Sequence, residues 1–518
     1  MARSGSLSAV LLWAMFFGAN ARADDNLASR IDSLITGPNY KQAHWGLLVV
    51  DSKSGEPIYA HNPDQIFFPA STTKLYSCSA ALAALGADYR FETPVYRRGT
   101  LKDGRLDGDL ILVAQGDLTM GGRTLPDGSM AFKDDDHTYA NGNTKAQLTD
   151  TDPLAGLKAL ARQVAASGIR QVTGDVLIDD RLFAQARGSG SGPDLLTPIV
   201  VNDNVLDVIV TPAAEPGKPA RVRVRPETAY VQMDAQVDTV AADKKARIDI
   251  NAAAARSFVV RGRIPLKAKP IVRIHAVEDP AEFARALFID MLRREGVSVS
   301  ASIFQAPTAE LPDKENYAKL HRVASFKSPP LSEAIKVTLK VSHNLYASTL
   351  PLLLAAKHGK RTLAEGLQIQ GRILKDLGVD VETISFAGGA GGAHADAVTP
   401  RASVQLLQAL AKRPDYKAIE EGLPVLGVDG TLADAVDAKS AARGKVKAKT
   451  GTLWWHDLMN DRQLLTSKAL AGTMTTAKGR ELTLAIYVNG VPLPKGVASS
   501  REGKTIGKLC EIIYLNAP

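Results

Sequence analysis

The chain has 518 residues, 45% hydrophobic and 23% charged, and its 63 Lys and Arg against 55 Asp and Glu leave a formal charge of +8. That length accommodates about three domains with ample core, and the composition excludes wholesale disorder and a multi-span membrane protein. So small a positive excess gives little ground for a nucleic-acid partner, and two cysteines, Cys78 and Cys510, exclude a disulfide scaffold or a cysteine-rich metal centre.

The first element reads as an export signal. Arg3 is a basic start, Leu7 to Gly18 (LSAVLLWAMFFG) is an apolar run too short to span a bilayer, and Ala21-Arg22-Ala23 is a small-x-small cleavage pattern. Cleavage after Ala23 would place the mature chain in the periplasm, with at most peripheral membrane association. In that compartment Cys78 and Cys510 could oxidise. Cys78 sits in an apolar helical run and reads as a small buried hydrophobe, so pairing stays open.

Next, His44 to Asp51 (HWGLLVVD) and Glu56 to Ala60 (EPIYA) read as a strand hairpin around the turn Ser52-Lys53-Ser54-Gly55. Ser71 to Leu85 has helix-forming composition, with Ser71 at its start. Residues 91–212 look mixed α/β. Asp109 to Ala114 and Asp175 to Ile178 are strands, Leu154, Leu157, Leu160 and Val164 share one helical face ended by Gly168, and 116–152 is a polar loop. Residues 213–269 alternate with period two, as in Arg221-Val222-Arg223-Val224-Arg225, which predicts a small antiparallel unit with a solvated basic edge. Ala281 to Arg294 is an amphipathic helix closed by Gly296. Helices dominate from Leu331 to about 412, strands form at Lys445 to Thr450 and Glu481 to Asn489, and a final helix runs from Lys504 to Leu515. The terminal strands would close one sheet, which makes the middle an insertion.

Three short motifs occur once each, in order: Ser71-Thr72-Thr73-Lys74 (S-x-x-K), Ser342-His343-Asn344 (S-x-N) and Lys449-Thr450-Gly451 (K-T-G). A lysine three residues after a helix-start serine shares its face and can take its proton. The helix N-terminus favours negative charge developing beside Ser71. Ser342 and Asn344 sit two apart on a turn between helices, Lys449 brings a fixed positive charge at a strand end, and Gly451 leaves room for a substrate backbone. Two ammonium groups in one cleft would depress each other's pKa, which suits Lys74 as a base. His343 fills the free position of S-x-N and reads as a packing or surface residue. The nine histidines contain no H-E-x-x-H pair, so neither a metal nor another cofactor is expected.

This motif set is that of penicillin-binding proteins and class A β-lactamases. The chain resembles, more narrowly, the S13 D-alanyl-D-alanine carboxypeptidase/endopeptidase family, the class C low-molecular-mass penicillin-binding proteins. The gap from Lys74 to Ser342 is far longer than in single-domain serine β-lactamases, and the S13 family fills it with inserted domains. Leu423 to Leu432 (LPVLGVDGTL), Lys445 to Leu453 (KVKAKTGTL), Ser342 to Thr349 (SHNLYAST), Asp109 to Asp117 (DLILVAQGD) and Gly174 to Phe183 (GDVLIDDRLF) also look like its segments.

The resemblance implies an α/β (α+β) fold, a β-lactamase/DD-peptidase-like serine transpeptidase domain over 24–90 and 311–518. A large insertion interrupts it, α/β over 91–212 and 270–310 with a β-rich unit over 213–269. It implies a serine D-Ala-D-Ala carboxypeptidase, with possible DD-endopeptidase activity, that acts on peptidoglycan stem peptides and binds β-lactams covalently. Ser71 would be the nucleophile, Lys74 its base, and Ser342 with Lys449 the proton relay to the leaving amine. Asn344 would hold Lys74 and a substrate amide, Lys449, Thr450 and Thr452 the substrate carboxylate, with Gly451 between, and the N–H groups of Ser71 and Thr452 the oxyanion. Two departures bear on the cleft edge. Ala387 to Ala393 (AGGAGGA) stands where the family usually has an Asp-Gly-Ser-Gly type loop, and Trp454-Trp455-His456-Asp457 looks inserted. Asp179 and Asp180 could read a stem-peptide amine, but a strand-end turn is the favoured account of them. The rival readings are a β-lactamase or esterase on the same scaffold, separated by fast deacylation, and a non-catalytic cell-wall binding protein, separated by failure to release D-alanine.

Overall fold

The computed structural model describes residues 27–518; the export signal expected over 1–23 lies outside them. The chain opens with α1 (27–35), β1 (His44–Asp51), β2 (Pro57–His61) and α2 (Thr73–Leu85). The middle contains β3 (Glu92–Lys102), β4 (Arg105–Val113), α3 (Ala155–Ala166), β5 (Gln171–Val172), β6 (Val176–Asp179), β7 (Ala186–Arg187), β8 (Leu195–Leu196), β9 (Val205–Thr211) and β10 (Arg221–Arg225). It continues with β11 (Gln232–Val240), β12 (Arg247–Ala254), β13 (Ser257–Pro265), β14 (Ile271–Ala276), α4 (Pro280–Arg294), β15 (Ser298–Val299) and β16 (His321–Lys327). The last part holds α5 (Leu331–Lys340), α6 (Asn344–Lys357), α7 (Leu363–Asp376), α8 (Pro400–Ala411), α9 (Tyr416–Gly422), β17 (Val446–Asp457), β18 (Arg462–Thr475), β19 (Glu481–Pro492) and α10 (Ser500–Asn516).

The two ends of the chain share one five-stranded sheet in the order β17-β18-β19-β1-β2. Strand β1, paired on both sides by β19 and β2, is buried on both faces, and the period-two alternation of a strand divides its residues between two cores. Leu47 and Val49 pack with Leu27, Ile31, Leu509 and Ile513 of α1 and α10. Leu48 and Val50 pack with Leu75, Tyr76, Leu406 and Leu407 of α2 and α8. Cys78 belongs to the second core and Cys510 to the first; both are buried and free, with the sheet between them.

The middle of the chain has its own core, where Leu157, Leu160 and Val164 of α3 meet Phe283, Leu287 and Leu292 of α4 over a sheet built on β3 and β4. Strand β16 pairs with β3, so 321–327, expected with the C-terminal part, lies on this inserted sheet. Strand β10 does form an antiparallel edge against β9, as the Arg/Val alternation predicts. The antiparallel expectation fails next to it, where β11 runs parallel to β13. The β12–β13 hairpin turns so that β13 becomes the central strand, and alternation reports which face a residue occupies, not the direction of its neighbour.

Candidate active site

The nucleophile position is built by a tight turn. A 3-10 turn, Ala70–Thr72, precedes α2, and Ala70 takes a left-handed φ of +45° while almost fully buried. One turn on, Lys74 Nζ donates to Ser71 Oγ at 2.9 Å, Asn344 Oδ1 at 2.7 Å and the Ala390 carbonyl at 2.8 Å. No carboxylate is hydrogen-bonded to this ammonium among the described residues, and burial lowers its pKa to about 7. The cause at Lys74 is thus desolvation, where the sequence alone suggested repulsion from a second ammonium.

The second motif lies where α5 ends and α6 begins. Ser342 has φ +61°, and His343 caps α6, its ring accepting from the Tyr346 N–H at 3.4 Å and stacking on the Tyr346 ring at 3.6 Å. His343 is therefore a packing residue, in line with its expected role. Asn344, the first residue of α6, donates through Nδ2 to the Ser191 carbonyl at 2.9 Å. Lys449, on β17, donates to Ser342 Oγ at 2.9 Å and to its neighbour's carbonyl, Thr450 O, at 2.8 Å. Burial, and then the charge of Lys74, hold Lys449 well below the ordinary lysine value.

Ser71, Ser342, Asn344, Thr450 and Thr452 open onto one cleft of about 870 Å³. Thr450 shares a hydroxyl–hydroxyl bond of 2.6 Å with Thr431, and Thr452 Oγ1 accepts from Lys468 at 2.8 Å. A Cβ on Gly451 would lie 2.5 Å from the Pro69 carbonyl and 3.1 Å from Ala70 Cβ, so the glycine lets β17 approach the Ser71 turn.

The Gly/Ala run at 387–393 is explained by similar crowding. A Cβ on Gly391 would sit 1.8 Å from Ala70 O, and one on Gly389 2.1 Å from Ala347 O. Asp396 ties the loop down by accepting from Ala387 N and Ala393 N. The Trp454-Trp455 segment prolongs β17 and β18 into a longer hairpin after a bulge at Leu453/Trp454. Trp454 lines the cleft, and Trp455 stacks on His394. Asp179 and Asp180 are not in the cleft wall. Asp179 accepts from Arg181 at 2.7 Å and Tyr317 at 2.6 Å, and Asp180 faces Gln185.

Sequence reasoning missed the support beneath the S-x-N motif. The loop 116–152, expected as a polar connection, supplies Asp134 and Tyr139 to the cleft wall, and the Tyr139 hydroxyl donates to the Ser342 carbonyl. Below it, Asp203 accepts from Arg123 (2.7 Å), from His137 (2.7 Å) and from the Tyr346 hydroxyl, all of them buried. Burial by itself would lower the His137 pKa; Asp207 and Asp136 outweigh it and raise the value to about 10. Asp136, His137 and Asp203 bring ligand atoms within 4.8 Å of one another, but the Arg123 guanidinium bonds both carboxylates and supplies the compensating charge there. One signal was present in Asn202-Asp203-Asn204, residue types that tolerate left-handed backbone; all three have φ between 50° and 54°. Their partners carried none.

The fold and the clustered Ser, Lys, Ser, Asn and Lys groups define a serine enzyme of the penicillin-binding and β-lactamase structural class. The profile of the D-Ala-D-Ala carboxypeptidase 3 (S13) family matches residues 27–508, and the chain belongs to that family of serine peptidases. It is 29% identical over 460 residues to a D-alanyl-D-alanine carboxypeptidase of Actinomadura sp. (strain R39), covering 82% of this chain and 76% of that one. It is 25% identical over 507 residues to the D-alanyl-D-alanine carboxypeptidase DacB of Haemophilus influenzae, covering 95% and 94%. The crystal structure of penicillin binding protein 4 from Haemophilus influenzae has the same fold, with a TM-score of 0.69 at 21% identity over 94% of this chain and 99% of that one.

Proposed function

We propose that this chain is a serine D-Ala-D-Ala carboxypeptidase acting on peptidoglycan stem peptides. The single observation that supports it best is the chain of hydrogen bonds Ser71–Lys74–Asn344, flanked by Ser342–Lys449, at the wall of one cleft. Neutral Lys74 takes the Ser71 hydroxyl proton as Oγ attacks the carbonyl carbon of the penultimate D-alanine. The oxyanion that forms is held by the N–H groups of Ser71 and Thr452. The C–N bond then breaks, and the leaving amine takes a proton through Ser342 from the lysines behind it. Free D-alanine departs, and water hydrolyses the acyl ester on Ser71 to return the enzyme. Thr450 and Thr452 hold the substrate carboxylate, and Asn344 a substrate amide.

A β-lactam presents the same arrangement of acyl carbon and carboxylate, so penicillin acylates Ser71 in this reading. The related Haemophilus influenzae protein 4 has been crystallised in complex with a β-lactam. Peptidoglycan as substrate accords with the export pattern at Arg3 to Ala23, which supports a periplasmic location.

The test is incubation of the purified protein with muropeptides, read by mass spectrometry, together with labelling by fluorescent penicillin. Loss of one alanine is the expected result, and conversion of cross-linked dimers to monomers would add endopeptidase activity. A covalent penicillin adduct on the Ser71→Ala protein, or no alanine release across stem-peptide variants, overturns the assignment. Rapid penicillin turnover would turn it toward a β-lactamase.

A further inference from the structure

The cleft has a third lysine that belongs to none of the motifs. Lys468 lies on β18 directly across from Thr452 in the β17–β18 pairing, and it lines the cleft with Ser71, Thr450 and Thr452. The three lysines differ in how their donors are used. Lys74 Nζ has three oxygen acceptors, Lys449 Nζ has two, and Lys468 Nζ has one, Thr452 Oγ1 at 2.8 Å. An ammonium carries three donors.

No carboxylate forms an ion pair with Lys468 among the described residues. The acid that acts on it electrostatically, Glu502, is already bonded by the Tyr40 hydroxyl at 2.5 Å and by Arg501 at 2.5 Å. Behind the lysine, α10 comes so close that a Cβ on Gly503 would stand 3.5 Å from Nζ. Burial pulls its pKa down to about 8, which leaves it mostly protonated at neutral pH. The result is a cation walled on one side, short of acceptors and facing the cleft beside the threonine of the K-T-G strand.

We propose that Lys468, with Thr452, is a specificity residue that binds the carboxylate on the carbon next to the scissile nitrogen. This deepens the reading of the site given above and rests on Ser71 being its nucleophile. A partly desolvated carboxylate needs charge-assisted donors, and an ammonium with two donors to spare supplies them. The carboxylate is present whether the leaving group is free D-alanine or the D-centre amine of a cross-link. Lys468 therefore selects the acid over its neutral derivatives and does not distinguish the two leaving groups.

The experiment uses the purified chain and two acylated peptides ending in D-Ala-D-Ala, one a free acid and one its C-terminal amide, and compares kcat/KM for each. The wild type prefers the acid. In Lys468→Met that preference falls by about tenfold to a hundredfold, the scale of one hydrogen-bonded charge pair, and Lys468→Arg restores most of it. A Lys468→Met protein whose acid-over-amide ratio equals that of the wild type overturns the inference, whether it loses activity on both substrates alike or on neither. A wild type inert to both peptides and to penicillin instead overturns the Ser71 reading, and this inference with it.

Discussion

Lys74 provides the most quantitative test of the mechanism. Its side chain is fully buried, and desolvation brings its pKa from 10.5 to about 7. Only the neutral amine can take the Ser71 proton. The fraction of neutral amine is about one half at pH 7 and about one tenth at pH 6, from the definition of a pKa. Acylation of Ser71 by a fluorescent penicillin, measured under second-order conditions, should therefore rise about fivefold from pH 6 to pH 7 and less than twofold above it. Lys74→Arg keeps a positive charge that does not titrate in this range, and its acylation should fall at least 100-fold with no rise through pH 7. The same shift has a sign for stability. The unfolded chain holds this proton up to about pH 10.5 and the folded chain only up to about 7, so the group destabilises the fold most below pH 7. The penalty shrinks as pH rises through that window. At about 1.4 kcal/mol per unit it reaches roughly 5 kcal/mol as an upper bound, so Lys74→Met should raise Tm at pH 6 and do so less at pH 9. A flat acylation profile from pH 5 to 8, or one rising only near pH 10, would refute Lys74 as the base.

Crowding at the Ser71 turn makes two glycine substitutions informative. Gly391→Ala forces a Cβ against Ala70 O at a residue with φ +91°, and should cost about 2–4 kcal/mol of unfolding free energy in urea titration while slowing penicillin acylation. Gly451→Ala should act mainly on acylation, because the contact it creates, with Pro69 O, displaces the turn that carries Ser71. Asp203→Ala removes the shared acceptor of Arg123, His137 and Tyr346; Arg123 keeps Asp136 and His137 keeps Asp207, so the lost bonds should cost about 1–3 kcal/mol, seen as a lowered thermal midpoint. Asp203→Ala with an unaltered midpoint would show that the network does not brace α6.

Much of this protein is legible in one dimension because its determinants are local. The spacing of Ser71 and Lys74 is set by helical geometry, the burial of β1 by an unbroken apolar run, and the ends of α3 and α4 by Gly168 and Gly296, both with positive φ. The three motifs could be recognised as a set because each is short and its residues act together. What they touch could not. Ala390 meets Lys74 through a backbone carbonyl, which any residue type would offer. Lys468 faces Thr452 only through the register of β17 and β18, and Asp203 meets Arg123, His137 and Tyr346 only after the inserted part docks under α6. The parallel pairing of β11 with β13 and the placement of β16 on the inserted sheet are likewise invisible to side-chain alternation. Local sequence pattern specifies backbone conformation and which face is apolar. Contacts between distant segments, and with them the depressed pKa of Lys74 and the bond of Lys468 to Thr452, arise only when tertiary packing excludes water from groups that the chain order keeps apart.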